Sequence, residues 1–311
     1  MIDFARLQVL RSIQHHGSVS EAARVMHLTP SAVSQQVRQL VIDVGVELLE
    51  RDGRSTRLTS AANVLLGYAH RAARSWEEML AELHAVDGGE HLAGRLAVCS
   101  FATAIPALVA PAATAMITAA AGAATVAIRE AGTADSLTLL LQRAADLAVI
   151  AAPANPEFDD PRFEQHPLID DPQDLVVGAQ TAFAEFGMCR LADLGREAWI
   201  EPHRDQRALI EAACTMDGFV PRFEHQADDW NSVLALVRAD MGVCLYPRMA
   251  PIDIPGVRRI PLTGTNAPVR RVFTCVRAGS AEQPLITAYR DRLREQAGRT
   301  PQGEATPHGT H

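Results

Sequence analysis

The chain has 311 residues, 48% of them apolar, which is enough to bury sizeable cores, excludes general disorder and allows at most about three domains. Net charge at pH 7 is −8 but unevenly placed: residues 1–75 carry nine Arg against six Asp or Glu (+3), and the rest twenty against thirty-one (−11), so the front of the chain suits a different partner. The five cysteines, Cys99, Cys189, Cys214, Cys244 and Cys275, form no C-x-x-C pair, which argues against a zinc knuckle or a disulfide framework and suits a reducing compartment.

Phe4, Leu7, Leu10 and Ile13 recur every third residue, the stripe of a short amphipathic helix ending near His16 and Gly17. Ser18-Val19-Ser20-Glu21 has the layout of a capping box and predicts a second helix from Val19 to about Met26, where Ala22 and Ala23 leave room for a close helix crossing. Thr29 can cap a third helix with Pro30 at its first position and Leu28 stapled onto Val33. Along it Val33, Val37, Leu40, Val41 and Val44 share one sector, while Ser31, Ser34, Gln35, Arg38 and Gln39 cover the other. The short Ser31 and Ala32 permit close approach to a DNA major groove, and the longer Gln35 and Arg38 can read bases or phosphates. Taken alone, this face fits an ordinary solvated helix equally well.

The next segment, Leu48 to Thr59, turns at Asp52-Gly53 between two short extended runs, the shape of a β-wing. Arg51, Arg54 and Arg57 crowd it and form an electrostatic footprint for phosphate. The DNA-contact candidates are therefore Thr29, Ser31, Ala32, Ser34, Gln35 and Arg38 for specificity, and Arg51, Arg54 and Arg57 for positioning on double-stranded DNA.

These residues resemble the winged helix-turn-helix of LysR-type transcriptional regulators. The likeness rests on Leu7 to Leu10, GSVSEAARVMHLTPSAVSQQVRQL (Gly17 to Leu40), VGVELLER (Val44 to Arg51) and RLTSAA (Arg57 to Ala62). The capped helix, the Ala pair, the Ser-Ala-Val-Ser-Gln-Gln run and the L-L-x-R approach to the wing stand together at the family's spacing. The chain departs from the family pattern at Val41, where Glu is usual, and at Ala62, where Gly is usual; neither lies on the polar face of the third helix. The resemblance covers about residues 3–296 and implies a two-lobed effector-binding domain similar to periplasmic solute-binding proteins. It adds that such regulators often assemble as dimers of dimers.

Thr59 can cap a long helix running to about Val86, in which Leu65, Ala69, Ala72, Trp76, Met79 or Leu80, and Leu83 recur at alternating spacings of four and three. A rod on the order of 40 Å is long to be covered by its own chain, so these positions predict a homodimer seam. Two recognition helices on such a linker read two half-sites separated by whole turns of DNA. Asp87-Gly88-Gly89 ends the helix as a hinge.

From Gly94 the pattern changes to strands alternating with helices: Arg95 to Cys99, helix 104–119, Thr125 to Arg129, helix 135–144 and Leu147 to Ala151. A second set follows at Asp174 to Ala179, Trp199 to Glu201, helix 206–216, Arg222 to Gln226, helix 229–239 and Val243 to Tyr246. Arg270 to Val276 and a helix over Pro284 to Gln296 return to the first lobe, so the second lobe is inserted in the first. The fold class is α/β: an all-α winged helix-turn-helix over 1–58, a linker helix and hinge over 59–89, a two-lobed α/β effector domain over 90–296 with its second lobe at about 162–268, and a disordered tail over 297–311. Ligands of open α/β sheets sit beyond strand carboxyl ends, so Ser100, Phe101, Ala102 and Thr103, faced by Glu201 and Pro202, are the effector-contact candidates. Ser100 and Thr103 can equally cap the following helix, and both roles are compatible. Arg129 is the only Arg in the first strand-helix turns, which gives no selection for a multiply charged anion.

No catalytic constellation, metal site or cofactor is expected. His15, His16, His84, His91 and His203 lack partners at ligand spacing, and neither G-x-S-x-G nor a P-loop occurs. With no Lys in the chain, a bias of coding composition, Schiff-base chemistry is excluded. The pairs Asp159-Asp160 and Asp170-Asp171 lie beside prolines and are expected in loops facing water. The apolar stretch from Ile105 to Val126 holds Pro106, Pro111 and Gly122 and reads as a soluble helix and strand rather than a membrane span. The opening MIDFARLQVL lacks the layout of a signal peptide, so a cytoplasmic protein is expected. The leading reading is a ligand-responsive transcriptional regulator. A solute-type binding protein without DNA activity is the alternative, opposed by the capped third helix; an enzyme comes third.

Overall fold

The computed structural model describes residues 4–52, 55–87, 92–152, 160–202, 204–252 and 254–300, and it divides into two units, residues 1–79 and 80–311. The first unit opens with α1 (Phe4–His16), α2 (Val19–Val25) and α3 (Pro30–Val44). Ser18 accepts the Glu21 backbone N–H at 3.1 Å, but the Glu21 carboxylate accepts from Arg24, 3.0 Å from its Nε, so an ion pair takes the carboxylate that the sequence assigned to a capping box. Thr29 accepts the Ala32 N–H at 3.1 Å, and Gly45 closes α3 at φ 75°, a left-handed position that favours glycine. Leu28 remains 42% exposed while Val33 is fully buried, in place of the expected staple.

Two apolar clusters hold this unit. Val9, Ile13, Ala22, Ala23, Val33 and Val37 lock the three helices together, and the two alanines let α2 cross closely. Leu7, Leu10, Leu40, Leu48, Ala62 and Leu66 join them to the wing, β1 (Leu49–Asp52) paired antiparallel with β2 (Ser55–Leu58), and to α4 (Ser60–Asp87). Each fully buried leucine contributes about 1.5–3 kcal/mol. Thr59 caps α4, accepting the Ala62 N–H at 3.1 Å, and its hydroxyl donates to the Glu47 carbonyl at 2.8 Å. The predicted hinge glycines, Gly88 and Gly89, lie outside the described residues.

The second unit begins with β3 (Gly94–Ser100), a π-helical turn over Ile105–Val109 that runs into α5 (Ala110–Ala119), β4 (Ala124–Glu130), α6 (Thr133–Leu141) and β5 (Leu147–Ala152). Then come β6 (Phe163–Gly178), β7 (Cys189–Arg190), β8 (Ala198–Glu201), α7 (Arg204–Met216), β9 (Arg222–Gln226) and α8 (Trp230–Arg238). The chain closes with β10 (Cys244–Pro247), β11 (Val257–Ile260), β12 (Leu262–Thr263), β13 (Val269–Arg277) and α9 (Pro284–Arg299).

The main sheet runs β10-β6-β13-β5-β3-β4, with β11 also on β6. Strand β3 is parallel to β4 and β5, whereas β13 is antiparallel to β5 and β6. The first half of β6, to Pro172, pairs with β13; its second half, from Gln173, pairs with β10 and β11. A single strand thus carries the chain from one lobe into the other. The second lobe, expected from about 162, takes over only near Gln173, because residues 163–172 belong to the first lobe's sheet. The proline beside Asp170-Asp171, Pro172, suggested a loop there, but this half of β6 is an edge strand, where proline is tolerated, and the register shift opposite Val272 and Phe273 absorbs the irregularity.

The first lobe's core includes Leu108, Met116, Val149, Val276, Tyr289 and Leu293, and the Tyr289 hydroxyl donates to the Val109 carbonyl in the π turn at 2.7 Å. In the second lobe Trp199, Leu245 and Ile210 are fully buried. Residues 297–299, expected in a disordered tail, belong instead to α9, which continues to Arg299 because Ala297 is buried against the first-lobe core; 301–311 lie outside the described residues. Among the described residues no helix is long and apolar enough to cross a membrane.

Candidate nucleic-acid interface and ligand cleft

On α3, Ser31, Gln35 and Arg38 stand at i, i+4 and i+7 as an exposed row, flanked by the half-buried Ala32 and Ser34, while Val33, Val37 and Leu40 on the other side are buried. Thr29 is held by its own cap and lies 2.9 Å, oxygen to oxygen, from the Ser31 hydroxyl. Among the described residues neither Gln35 nor Arg38 has an intramolecular partner, so their donors and acceptors are free for another molecule. Gln39, expected on the same face, instead donates to Asp43 at 3.1 Å, and Asp43 also takes Arg6 at 2.6 Å. In the wing, Arg57 is exposed and opposite Glu50, on the face away from Leu49 and Leu58. Arg54 lies outside the described residues, as does the side chain of Arg51 on β1.

The apolar row of α4 differs from the expected one at its start. Leu65 and Ala69 pack against the cluster around Leu10 and Leu66, so they serve their own unit. The exposed row runs through Val64, Tyr68, Ala72, Trp76, Met79, Leu83 and Val86, with Leu80 half-buried beside it. The two faces split because the first turns of α4 carry two apolar stripes, and the wing core takes one of them.

At the end of β3, Ser100 is buried and its hydroxyl donates to the Phe101 carbonyl at 3.3 Å; Ala102 is half-buried and Thr103 buried. The surprise in this corner is Arg270, from β13. Its Nη2 donates to Thr103 Oγ1 at 3.0 Å and to Asp171 Oδ2 at 2.8 Å, and its guanidinium lies 4.4 Å from the centre of the Phe101 ring. A cation therefore stands where local sequence placed none, and Arg129 remains exposed on β4. Asp170 and Asp171 do not sit in a water-facing loop: both lie in β6, whose alternation exposes Asp170 and buries Asp171. Burial pushes the Asp171 carboxyl up, and Arg270 with the Met249 N–H at 3.0 Å only partly offsets it. Asp160 pairs with Arg162, and Asp159 lies outside the described residues.

In the second lobe Pro202 is buried, and the Glu201 carboxylate pairs with Arg207 on α7 at 2.5 Å. The polar reach toward the first lobe comes instead from Gln206, buried, whose amide donates to Gln173 Oε1. Gln173 in turn donates to the Asp171 carbonyl at 2.9 Å. Sequence reasoning missed Arg270, Asp171, Gln173 and Gln206; the first is 167 positions from Thr103, and no local spacing signals such a contact.

All five cysteines are buried and free. Burial pushes the Cys189 thiol up to about 11 and that of Cys214 to about 12, and raises those of Cys99, Cys244 and Cys275 as well, so at neutral pH none is a ready thiolate. Among the described residues no group of three or more His, Cys, Asp or Glu is placed to hold a metal ion.

Residues 4–63 match the family described as bacterial regulatory helix-turn-helix protein, lysR family, and residues 89–298 match the LysR substrate binding domain. The chain is 30% identical over 309 residues to the HTH-type transcriptional regulator ClcR of Pseudomonas putida, covering 94% of this chain and 98% of that one. Its fold is similar to that of a full-length OxyR from Pseudomonas aeruginosa in which one cysteine is replaced by aspartate, with a TM-score of 0.63 at 19% identity over 98% of this chain and 99% of the other. It is also similar to full-length CbnR in complex with its target DNA, with a TM-score of 0.57 at 22% identity over 95% and 100%.

Proposed function

We propose, from the premise that the chain belongs to the LysR family of transcriptional regulators, that two copies joined along α4 present α3 to successive major grooves of an operator. The protein is a DNA-binding, ligand-responsive regulator and not an enzyme; what is proposed is which residues do the work, and that they do it in the cytoplasm. One observation carries the reading: Ser31, Gln35 and Arg38 form an exposed row, and the last two are without a partner among the described residues, on a helix whose opposite side is locked into the core. A binding protein without DNA activity is opposed by the match of residues 4–63 to the lysR-family helix-turn-helix. CbnR, whose fold the chain shares, is recorded with its target DNA.

Ser31, Ala32, Ser34, Gln35 and Arg38 would read base edges, Thr29 would fix the helix start, and Arg51, Arg54 and Arg57 would hold phosphates. The corner of Ser100, Phe101, Ala102, Thr103 and Arg270 would receive the effector, with Pro202 and the α7 N-terminus closing from the second lobe. A ligand group that accepts hydrogen bonds fits the guanidinium and hydroxyl donors there. The effector shifts the regulator only by binding one quaternary state better than another.

Sequencing the genomic fragments retained by the purified protein, with and without candidate metabolites, tests this reading. Fragments sharing two half-sites at whole-turn spacing are expected, and a protein that retains no duplex refutes it. Arg57→Ala is expected to weaken binding alike on every sequence and to lower the salt slope by about one phosphate contact. An effect confined to one base position would show that Arg57 reads sequence instead.

A further inference from the structure

The strand that passes between the lobes, β6, shares a buried ion pair with β13 just before the crossing. Asp171 of β6 and Arg270 of β13 are direct register partners, and just beyond them the Gln173 N–H donates to the Pro268 carbonyl at 2.9 Å before β6 moves on to β10. We propose that Asp171 is a positioning residue that couples the effector corner of the first lobe to the start of α7 in the second; the inference rests on the effector reading above.

Its carboxylate is held from both lobes. Oδ2 accepts from Arg270 at 2.8 Å and from Gln173 at 3.4 Å, while Oδ1 accepts the N–H of Met249, which follows β10, at 3.0 Å. From the carboxylate the hydrogen bonds run one way through Arg270 to Thr103 and the other way through the Gln173 amide, which also donates to the Asp171 backbone carbonyl at 2.9 Å and accepts from Gln206. Thr103, Asp171, Gln173 and Gln206 are each no more than 4% exposed. In such a buried series each bond polarises the next, and breaking one leaves its neighbour unsatisfied. An effector that engages Thr103 or the Phe101 ring redistributes the donors of Arg270, and Asp171 passes that change to Met249 and Gln206.

A double-mutant cycle on the full chain tests the coupling without the effector. Thr103→Val and Gln206→Leu alter residues of different lobes, and independent sites add. The loss in Tm of the double variant is expected to fall short of the summed single losses by about 2 °C or more. That shortfall is expected to vanish in an Asp171→Asn background, and, should Asp171→Asn not fold, in a Gln173→Leu background, which keeps the buried ion pair. Additive losses, or a shortfall that survives Gln173→Leu, overturn the proposal. Operator retention with and without metabolites, measured on the same proteins, separates the two levels: additive losses beside an intact response sink only the coupling, whereas a wild-type protein with no metabolite response sinks the effector reading.

Discussion

Replacing Trp76 and Leu83 together by glutamate is expected to leave a folded monomer whose affinity for an operator with two half-sites is lower by on the order of 10²- to 10⁴-fold. Both side chains are more than half exposed, at 54% and 55%, in a row that also holds Val64, Tyr68, Met79 and Val86, so neither is needed by the chain's own core. Singly scattered exposed apolar residues are ordinary, but a row at spacings of four and three along one helix is the surface that a second helix covers. Four carboxylates in that seam would each lose water without gaining a partner, at a cost of several kcal/mol per charge. The loss of affinity then follows from effective concentration: a dimer that has seated one recognition helix presents the other at high local concentration, and a monomer does not. Sedimentation gives the mass, and fluorescence anisotropy on operators with one or two half-sites gives the affinity. Binding to a single half-site should hardly change. A variant that stays dimeric, or a monomer that keeps wild-type affinity for the full operator, refutes the seam.

The ends of α2 and α3 and the inward face of α3 were legible because their signals are local. Thr29, Pro30 and Gly45 mark the ends of α3 within the segment itself, and the valines set its inward face. The cleft was legible only in part. Ser100 to Thr103 stand where the strand-helix order predicts them, but the cation beside them comes from β13, and the carboxylate that anchors it comes from a stretch whose Pro172 suggested a loop. Glu201 was expected to face the first lobe because it ends a strand; Arg207 on the next helix captures it, and Gln206 makes the reach instead. The same distinction explains the α4 row: periodicity located two apolar stripes, and only packing against the wing decided which one stays exposed. Contacts set by tertiary pairing leave no periodic trace in the chain.

Gln35→Ala and Arg38→Ala are each expected to cost about 1–3 kcal/mol of operator binding, roughly 5- to 150-fold, with Tm unchanged. The two halves of that expectation come from the same geometry. Both residues are exposed and bond to nothing in the described chain, so the folded state loses nothing on truncation, whereas a base edge or phosphate in the groove loses its donor. Val37, between them in sequence but 4% exposed, sets the contrast: Val37→Ala opens the core between α1, α2 and α3 and lowers Tm before it touches DNA. Selection of bound sequences from a randomised operator pool adds the decisive readout. Gln35→Ala should relax preference at one position of each half-site, while Arg57→Ala should leave every preference in place. A Gln35 variant that keeps both affinity and preference would mean that α3 does not read the groove, and the exposed row would be only a solvated face.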